Sequence, residues 1–197
     1  MQSYLDQLAS TDPASITDDD DRLAFWINAY NAYTVRLILT RYPNLSSITD
    51  FNEPWKQVRW TIGGEQYSLD QIEHEIIRVE FNEPRIHFAV NCAAASCPPL
   101  RDEAYVGDRL DAQLEEQTIS FLNSPEGVVA ESRGDRLTLR FSKLFDWYGE
   151  DFTQGGQSRI DYVRPYLQGR RQQLVERFNG RTDIAYLNYS WALNDAN

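Results

Sequence analysis

The chain has 197 residues, of which 42% are hydrophobic and 25% charged, the balance of a folded globular protein rather than a disordered or fibrous one. Thirty Asp and Glu against nineteen Lys and Arg leave a formal net charge of −11, which disfavours unspecific attraction to nucleic acid or to an anionic bilayer surface. No apolar run approaches the roughly twenty residues that a membrane-spanning helix needs, and two cysteines do not make a disulfide scaffold.

In chain order, the acidic run Asp18 to Asp21 precedes Leu23, Trp26, Ile27, Tyr30, Leu37 and Ile38, which fall mainly at three- and four-residue spacings. Negative charge at a helix N-terminus complements the macrodipole and supplies caps, so the run predicts the start of a long, largely buried helix that ends before Pro43. Val58 to Ile62 and Gln66 to Leu69 read as two short strands joined by a turn at Gly63-Gly64. Ser68 with Gln71 forms a capping-box pattern that opens a helix over Asp70 to Val79. Arg85 to Asn91 is short and apolar enough for a buried strand. After it, Cys92-Ala-Ala-Ala-Ser-Cys97 must turn, because Pro98-Pro99 cannot continue a ladder.

Downstream, Asp108 to Leu122 has helical spacing, and Gly127 to Glu131 with Arg136 to Phe141 predict strands around Gly134. Ser142 is a candidate cap for a helix through Phe152. Two shorter helices within Ser158 to Phe178 and a strand near Ile184 to Tyr189 complete the order. Helices and single strands do not alternate regularly, so a doubly wound nucleotide fold is disfavoured. The expectation is a single α+β domain over residues 1–197, with helices packed on a small, mostly antiparallel or mixed sheet. No GxGxxG, P-loop or GxSxG motif occurs, and no cofactor is implied.

Both histidines, His74 and His87, lie within about twenty residues of the two cysteines, Cys92 and Cys97. A cysteine becomes a competent nucleophile when an imidazole, a cation or a helix N-terminus stabilises its thiolate and a third group orients the imidazole. Cys92 leaves the expected strand into a run of small residues, with room for a substrate carbonyl and for backbone N–H donors to an oxyanion. Cys97 precedes two prolines that lack that donor and ranks second. These residues nominate Cys92 as nucleophile, His74 as base and Glu73 as orienting group. Asn28 and Asn31 share a helical face and are candidates to orient a histidine or contact substrate; the other reading has them binding the backbone of a neighbouring loop. Arg85 and Arg101 are candidates to hold a substrate carboxylate, against surface or core-edge ion pairing. Three other readings of the Cys and His cluster stay open: buried core residues, a Cys92–Cys97 disulfide in an oxidising compartment, and a zinc site. The order His-x12-His-x4-Cys-x4-Cys fits no familiar zinc pattern.

The segments LAFWINAYNAYTVRLIL, SLDQIEHEIIR, RIHFAVNCAAASCPPLR, FDWYGEDF and YLNYSWALN resemble, in order, the family catalogued as domain of unknown function 547. Its Ile-Glu-His motif falls on Ile72, Glu73 and His74, and its asparagine-cysteine motif on Asn91 and Cys92. The resemblance implies positions rather than an established catalytic assignment. It also implies an occurrence in bacteria, often behind export signals, so the expected location is periplasmic or otherwise exported if a signal was removed upstream, and cytoplasmic otherwise.

The function expected from these residues is a cysteine-dependent hydrolase or acyl transferase acting on an amide or thioester, with a small molecule or peptide as substrate. The alternative is a non-catalytic ligand-binding or protein-interaction module with an aromatic cleft drawn from Trp55, Trp60, Trp147 and Tyr148. No sequence feature reports on self-association.

Overall fold

A computed structural model gives the fold of this protein and describes residues 1–57 and 59–195. Val58, the expected start of the first strand, lies outside the described residues. The architecture is α+β, and the chain divides into two compact units, Met1–Leu114 with Trp191–Asn197, and Glu115–Ser190. No described helix is long and apolar enough to cross a membrane.

The first unit is built on two helices, α1 (Gln2–Ser10) and α2 (Asp19–Leu39). Asp18 caps α2 as its composition predicts, its Oδ1 accepting the N–H groups of Asp20 and Asp21 at 3.0 and 3.1 Å. All six residues of the predicted apolar stripe are buried, and Ala24, Ala29, Tyr33 and Thr34 are buried as well. The helix is therefore enclosed on more than one face. Each large apolar side chain removed from water contributes about 1.5–3 kcal/mol, which makes α2 the principal hydrophobic element of this unit.

A four-residue helix, α3 (Pro54–Gln57), precedes the expected hairpin of β1 (Trp60–Ile62) and β2 (Glu65–Tyr67), paired antiparallel from Trp60↔Tyr67 to Ile62↔Glu65. Aromatic contacts seat it on α2. Tyr33 stacks on Trp60 with centroids 4.8 Å apart and donates its hydroxyl to Thr61 O, while Trp26 meets Tyr67 edge to face. The hairpin turn is also tied to α1, because Gly63 and Gly64 donate to the carbonyls of Leu8 and Ala9. At Gly63, φ is +58° and a Cβ would come within 2.9 Å of Thr11 O and Pro13 Cδ, so only glycine fits without displacement.

The capping box at Ser68 and Gln71 forms in both directions and opens α4 (Leu69–Gln71). The helix then widens into a π-helical stretch, Ile72–Ile77, and closes with α5 (Arg78–Glu80). A continuous α-helix was expected over this segment. Ile72 and Ile77 are both fully buried, and the π-turn brings these two residues, five apart, into the core.

The expected strand at Arg85 to Asn91 is instead a 3-10 helix, Pro84–Phe88. Pro84 supplies the helical φ at its first turn, and Glu83 caps it by accepting the Arg85 N–H at 3.0 Å. A short apolar run reads alike in a buried strand and a buried turn, and here the cap and the proline decide. The long helix α6 (Leu110–Leu122) runs to the end of this segment, and the division between the units falls within it.

In the second unit, β3 (Val128–Arg133) and β4 (Arg136–Phe141) pair antiparallel around Gly134, as the sequence predicts. The helix expected to run from Ser142 to Phe152 is interrupted at Tyr148 and forms α7 (Leu144–Trp147) and α8 (Gly149–Phe152). After α9 (Arg159–Val163) and α10 (Gly169–Arg177), β5 (Thr182–Tyr186) returns parallel to β4, ending earlier than expected. The small sheet is therefore mixed, in the order β3-β4-β5. Leu137, Leu139 and Phe141 face a core where the rings of Phe145, Phe152 and Tyr162 pack together.

Candidate functional site

The segment after the 3-10 helix is organised by asparagine side chains. Asn31, buried on α2, accepts the backbone N–H of Asn91 at 2.8 Å and donates to Ala89 O at 3.0 Å. Asn91 in turn accepts the N–H of Ala93 and donates to Pro98 O, both at 2.8 Å. One side chain thus bridges the two ends of the cysteine loop. Ala93 takes φ +59°, a left-handed conformation that costs a non-glycine residue about 1–3 kcal/mol and persists where the surroundings determine it.

The C-terminal segment of the same unit holds the loop from outside. Ala95 N–H donates to Ala192 O at 2.7 Å, Asn194 N–H to Ala93 O at 3.1 Å, and Leu193 N–H to Ser46 O at 2.8 Å. Trp191 packs edge to face on Trp55 at 5.7 Å. Residues nearly a hundred positions apart therefore form a short ladder, and no local signal in Ala-Ala-Ala-Ser announces it.

This frame brings the two cysteines together as thiols. Their sulfurs are 2.7 Å apart, and Cys97 Sγ also accepts the backbone N–H of Cys92 at 2.8 Å. Cys92 is half-buried, whereas Cys97 is 7% exposed. The N–H groups of Cys92, Ala93, Ala95 and Cys97 are all engaged within the fold. An oxyanion at Cys92 would consequently draw on donors other than these four.

Glu73 and His74 lie on the π-helical stretch. His74 is half-buried, with Nδ1 at 3.3 Å from the Arg78 guanidinium and Nε2 at 3.9 Å from Asp70 Oδ1. Glu73 is buried, 6% exposed. His87 is buried in the 3-10 turn.

The remaining candidates have partners within the chain. Asn28 donates to Tyr105 O at 2.7 Å and accepts the Tyr105 N–H at 2.9 Å, a two-point clasp of backbone. Arg85 is held by Glu83 at 2.5 Å and Asp111 at 2.8 Å, and these carboxylates push its pKa further up. Arg101 pairs with Glu103 at 2.8 Å. Glu103 also takes hydrogen bonds from Gln113 and Arg109, and the three donors, Arg101 first, lower its pKa to about 2.

Of the four aromatic residues proposed for a cleft, Trp55 pairs with Trp191 and Trp60 with Tyr33 in the first unit, while Trp147 packs on Tyr189 in the second. The first unit has a different cavity, of about 490 Å³, whose lining includes Ile38, Leu39, Tyr42, Cys97, Leu100 and Leu193. Its volume is that of a small-molecule site. Among the described residues no three His, Cys, Asp or Glu side chains assemble as a metal site. The sequence reasoning missed the parts played by Asn91 and the 192–194 segment in fixing the loop; Asn91 was visible only as a neighbour of Cys92.

Fold and site together define an α+β protein whose two cysteines meet on a loop clamped by buried asparagines. The sequence profile of the family described as "Protein of unknown function, DUF547" matches residues 13–122, more than half of the chain, and the chain belongs to that family. The matched span contains α2, the π-helical stretch, the cysteine loop and α6. No curated protein and no solved structure matches.

Proposed function

We propose that the domain acts through a cysteine nucleophile, Cys92, on the carbonyl of an amide or thioester of a small molecule or peptide. The observation that carries this reading is the position of Cys92: a half-buried thiol, on a loop fixed by Asn31 and Asn91, beside a second sulfur. A nucleophile held at a fixed place loses little freedom on reaching the transition state.

In this reaction Cys92 Sγ gives its proton to His74 and attacks the carbonyl carbon. The tetrahedral intermediate expels the amine or thiol, which takes the proton back from His74, and leaves an acyl group on Cys92. Water then makes the protein a hydrolase, and another nucleophile makes it an acyl transferase. Asp70, 3.9 Å from His74 Nε2, is better placed than Glu73 to orient the ring.

The test is intact-mass detection of an acyl adduct after mixing the reduced chain with a panel of thioesters and activated amides, beside limiting iodoacetamide labelling. The expected result is an adduct on Cys92 that Cys92→Ala removes and His74→Ala slows at least tenfold. Labelling confined to Cys97, or no adduct with any acyl donor, overturns the reading.

A second reading, a ligand-binding module, is favoured by the cavity of about 490 Å³ beside Cys97, where Leu39, Tyr42 and Leu100 are exposed apolar residues. It takes an apolar ligand. Saturable binding of an apolar fluorescent probe that survives Cys92→Ala and is lost in Leu39→Glu supports it; binding insensitive to Leu39→Glu rejects it.

A further inference from the structure

We propose that Cys92 and Cys97 form a reversible intraloop disulfide, and that a low-molecular-weight disulfide such as oxidised glutathione is its oxidant. The disulfide stands on the loop geometry alone; its consequence for catalysis rests on the reading of Cys92 as nucleophile.

The sulfurs are already 2.7 Å apart, less than an ångström beyond the bond length of about 2.05 Å. The loop between them is not a floppy linker that must find a closed conformation. Asn91 ties its two ends through Ala93 N–H and Pro98 O, Cys97 N–H donates back to Ala94 O at 2.9 Å, and the 192–194 segment pins Ala93 and Ala95. The entropy of bringing the thiols together is thus met by folding, and the second step of exchange is intramolecular with its groups in place.

Exposure sets the order of events. Cys92, the more accessible thiol, loses its proton and its sulfur attacks one sulfur of the oxidant RSSR, forming Cys92–S–S–R and releasing RS⁻ with the electron pair of the broken bond. Cys97, also deprotonated, then attacks Cys92 Sγ; the Cys92–S–S–R bond breaks and the second RS⁻ leaves. The two thiol protons end on two RSH, so two cysteine thiols are oxidised by two electrons and one RSSR is reduced. The bond occupies Cys92 Sγ and removes it from attack on a carbonyl. A reducing thiol reverses both steps.

The experiment equilibrates the full chain in glutathione buffers of graded oxidised-to-reduced ratio, quenches with acid, alkylates the remaining thiols and weighs the intact protein. The expected result is one two-electron transition, from a doubly alkylated species to one that has lost two hydrogens and takes no alkyl group. Cys97→Ser should stop at a glutathione adduct on Cys92, because the resolving sulfur is gone. Thiols that stay alkylatable at every ratio, or a wild-type chain that accumulates the mixed disulfide, overturn the proposal. Circular dichroism of the oxidised and reduced chains shows whether each is folded when weighed. Acyl-adduct formation on the same two samples separates the two readings. A disulfide that forms while the reduced chain takes no acyl group rejects the enzyme and keeps the switch. Acylation of the reduced chain, with no disulfide in any buffer, does the reverse.

Discussion

The backbone N–H of Asn91 donates to the side-chain oxygen of Asn31 across 60 positions of sequence, at 2.8 Å and between two buried residues. With Asn31 Nδ2 on Ala89 O, this pair makes the helix α2 the reference against which the cysteine loop is placed. Its removal should therefore be felt both in stability and in thiol behaviour.

Asn31→Ala leaves a buried N–H and a buried carbonyl without their partners, each costing about 1–3 kcal/mol. We expect a loss of about 2–4 kcal/mol in urea denaturation, together with an altered alkylation rate at Cys92 in the folded protein. An unchanged rate would mean that the loop keeps its place without Asn31.

Asn28→Ala, one helical turn away, provides the contrast. It breaks the clasp on Tyr105 and should cost about 1–3 kcal/mol while leaving the Cys92 alkylation rate as in the wild type. Equal effects of the two substitutions on the rate would show that general loosening, not the Asn31 contact, controls the thiol.

Leu193→Pro deletes the donor to Ser46 O in the short ladder beside the cysteine loop. Hydrogen exchange at the Ala95 and Asn194 amides should accelerate at least tenfold, with the amides of β3 and β4 unaffected. Exchange unchanged at Ala95 would argue that the 192–194 segment does not hold the loop.

Glu103 ionises with a pKa of about 2 in the fold against an ordinary 4.5, because Arg101, Gln113 and Arg109 all donate to it. A depressed folded-state pKa stabilises the protein fully above the unfolded value, and that contribution is lost as pH falls through the folded one. Glu103→Gln should thus lower the urea midpoint at pH 6, with the difference shrinking between pH 4.5 and 2. A difference constant over that window would assign the effect to packing rather than charge.

Gly63→Ala forces a Cβ against Thr11 O and Pro13 Cδ at φ +58°, whereas Gly64→Ala, at φ +86°, meets open space. The first should cost about 2–4 kcal/mol and the second about 1 kcal/mol in thermal or chemical unfolding, the difference being the close contact. Equal costs would place the whole effect in the backbone conformation.

The sequence by itself determined those features whose cause is local. Asp18 caps α2 because four aspartates precede an apolar stripe, Ser68 and Gln71 close their box because they stand three positions apart, and glycines turn both hairpins. It also singled out Cys92, Cys97, Asn28 and Asn31 as polar or reactive groups in apolar surroundings. What it left open is where their partners lie. The π-helical turn under Glu73 and His74 follows from burying Ile72 and Ile77 together, and the 3-10 turn at Pro84 follows from a cap that competes with a strand of equal hydrophobicity. Arg85 and Arg101 find carboxylates of their own chain, Asn28 finds Tyr105, and Asn31 finds Asn91. Each is a pairing that depends on how the chain folds back, and a residue's type states that it needs a partner without stating which. The approach of the two cysteine sulfurs is of this kind: spacing allowed it, and only the clamp between α2, Asn91 and the 192–194 segment, drawn from three distant parts of the chain, brings it about.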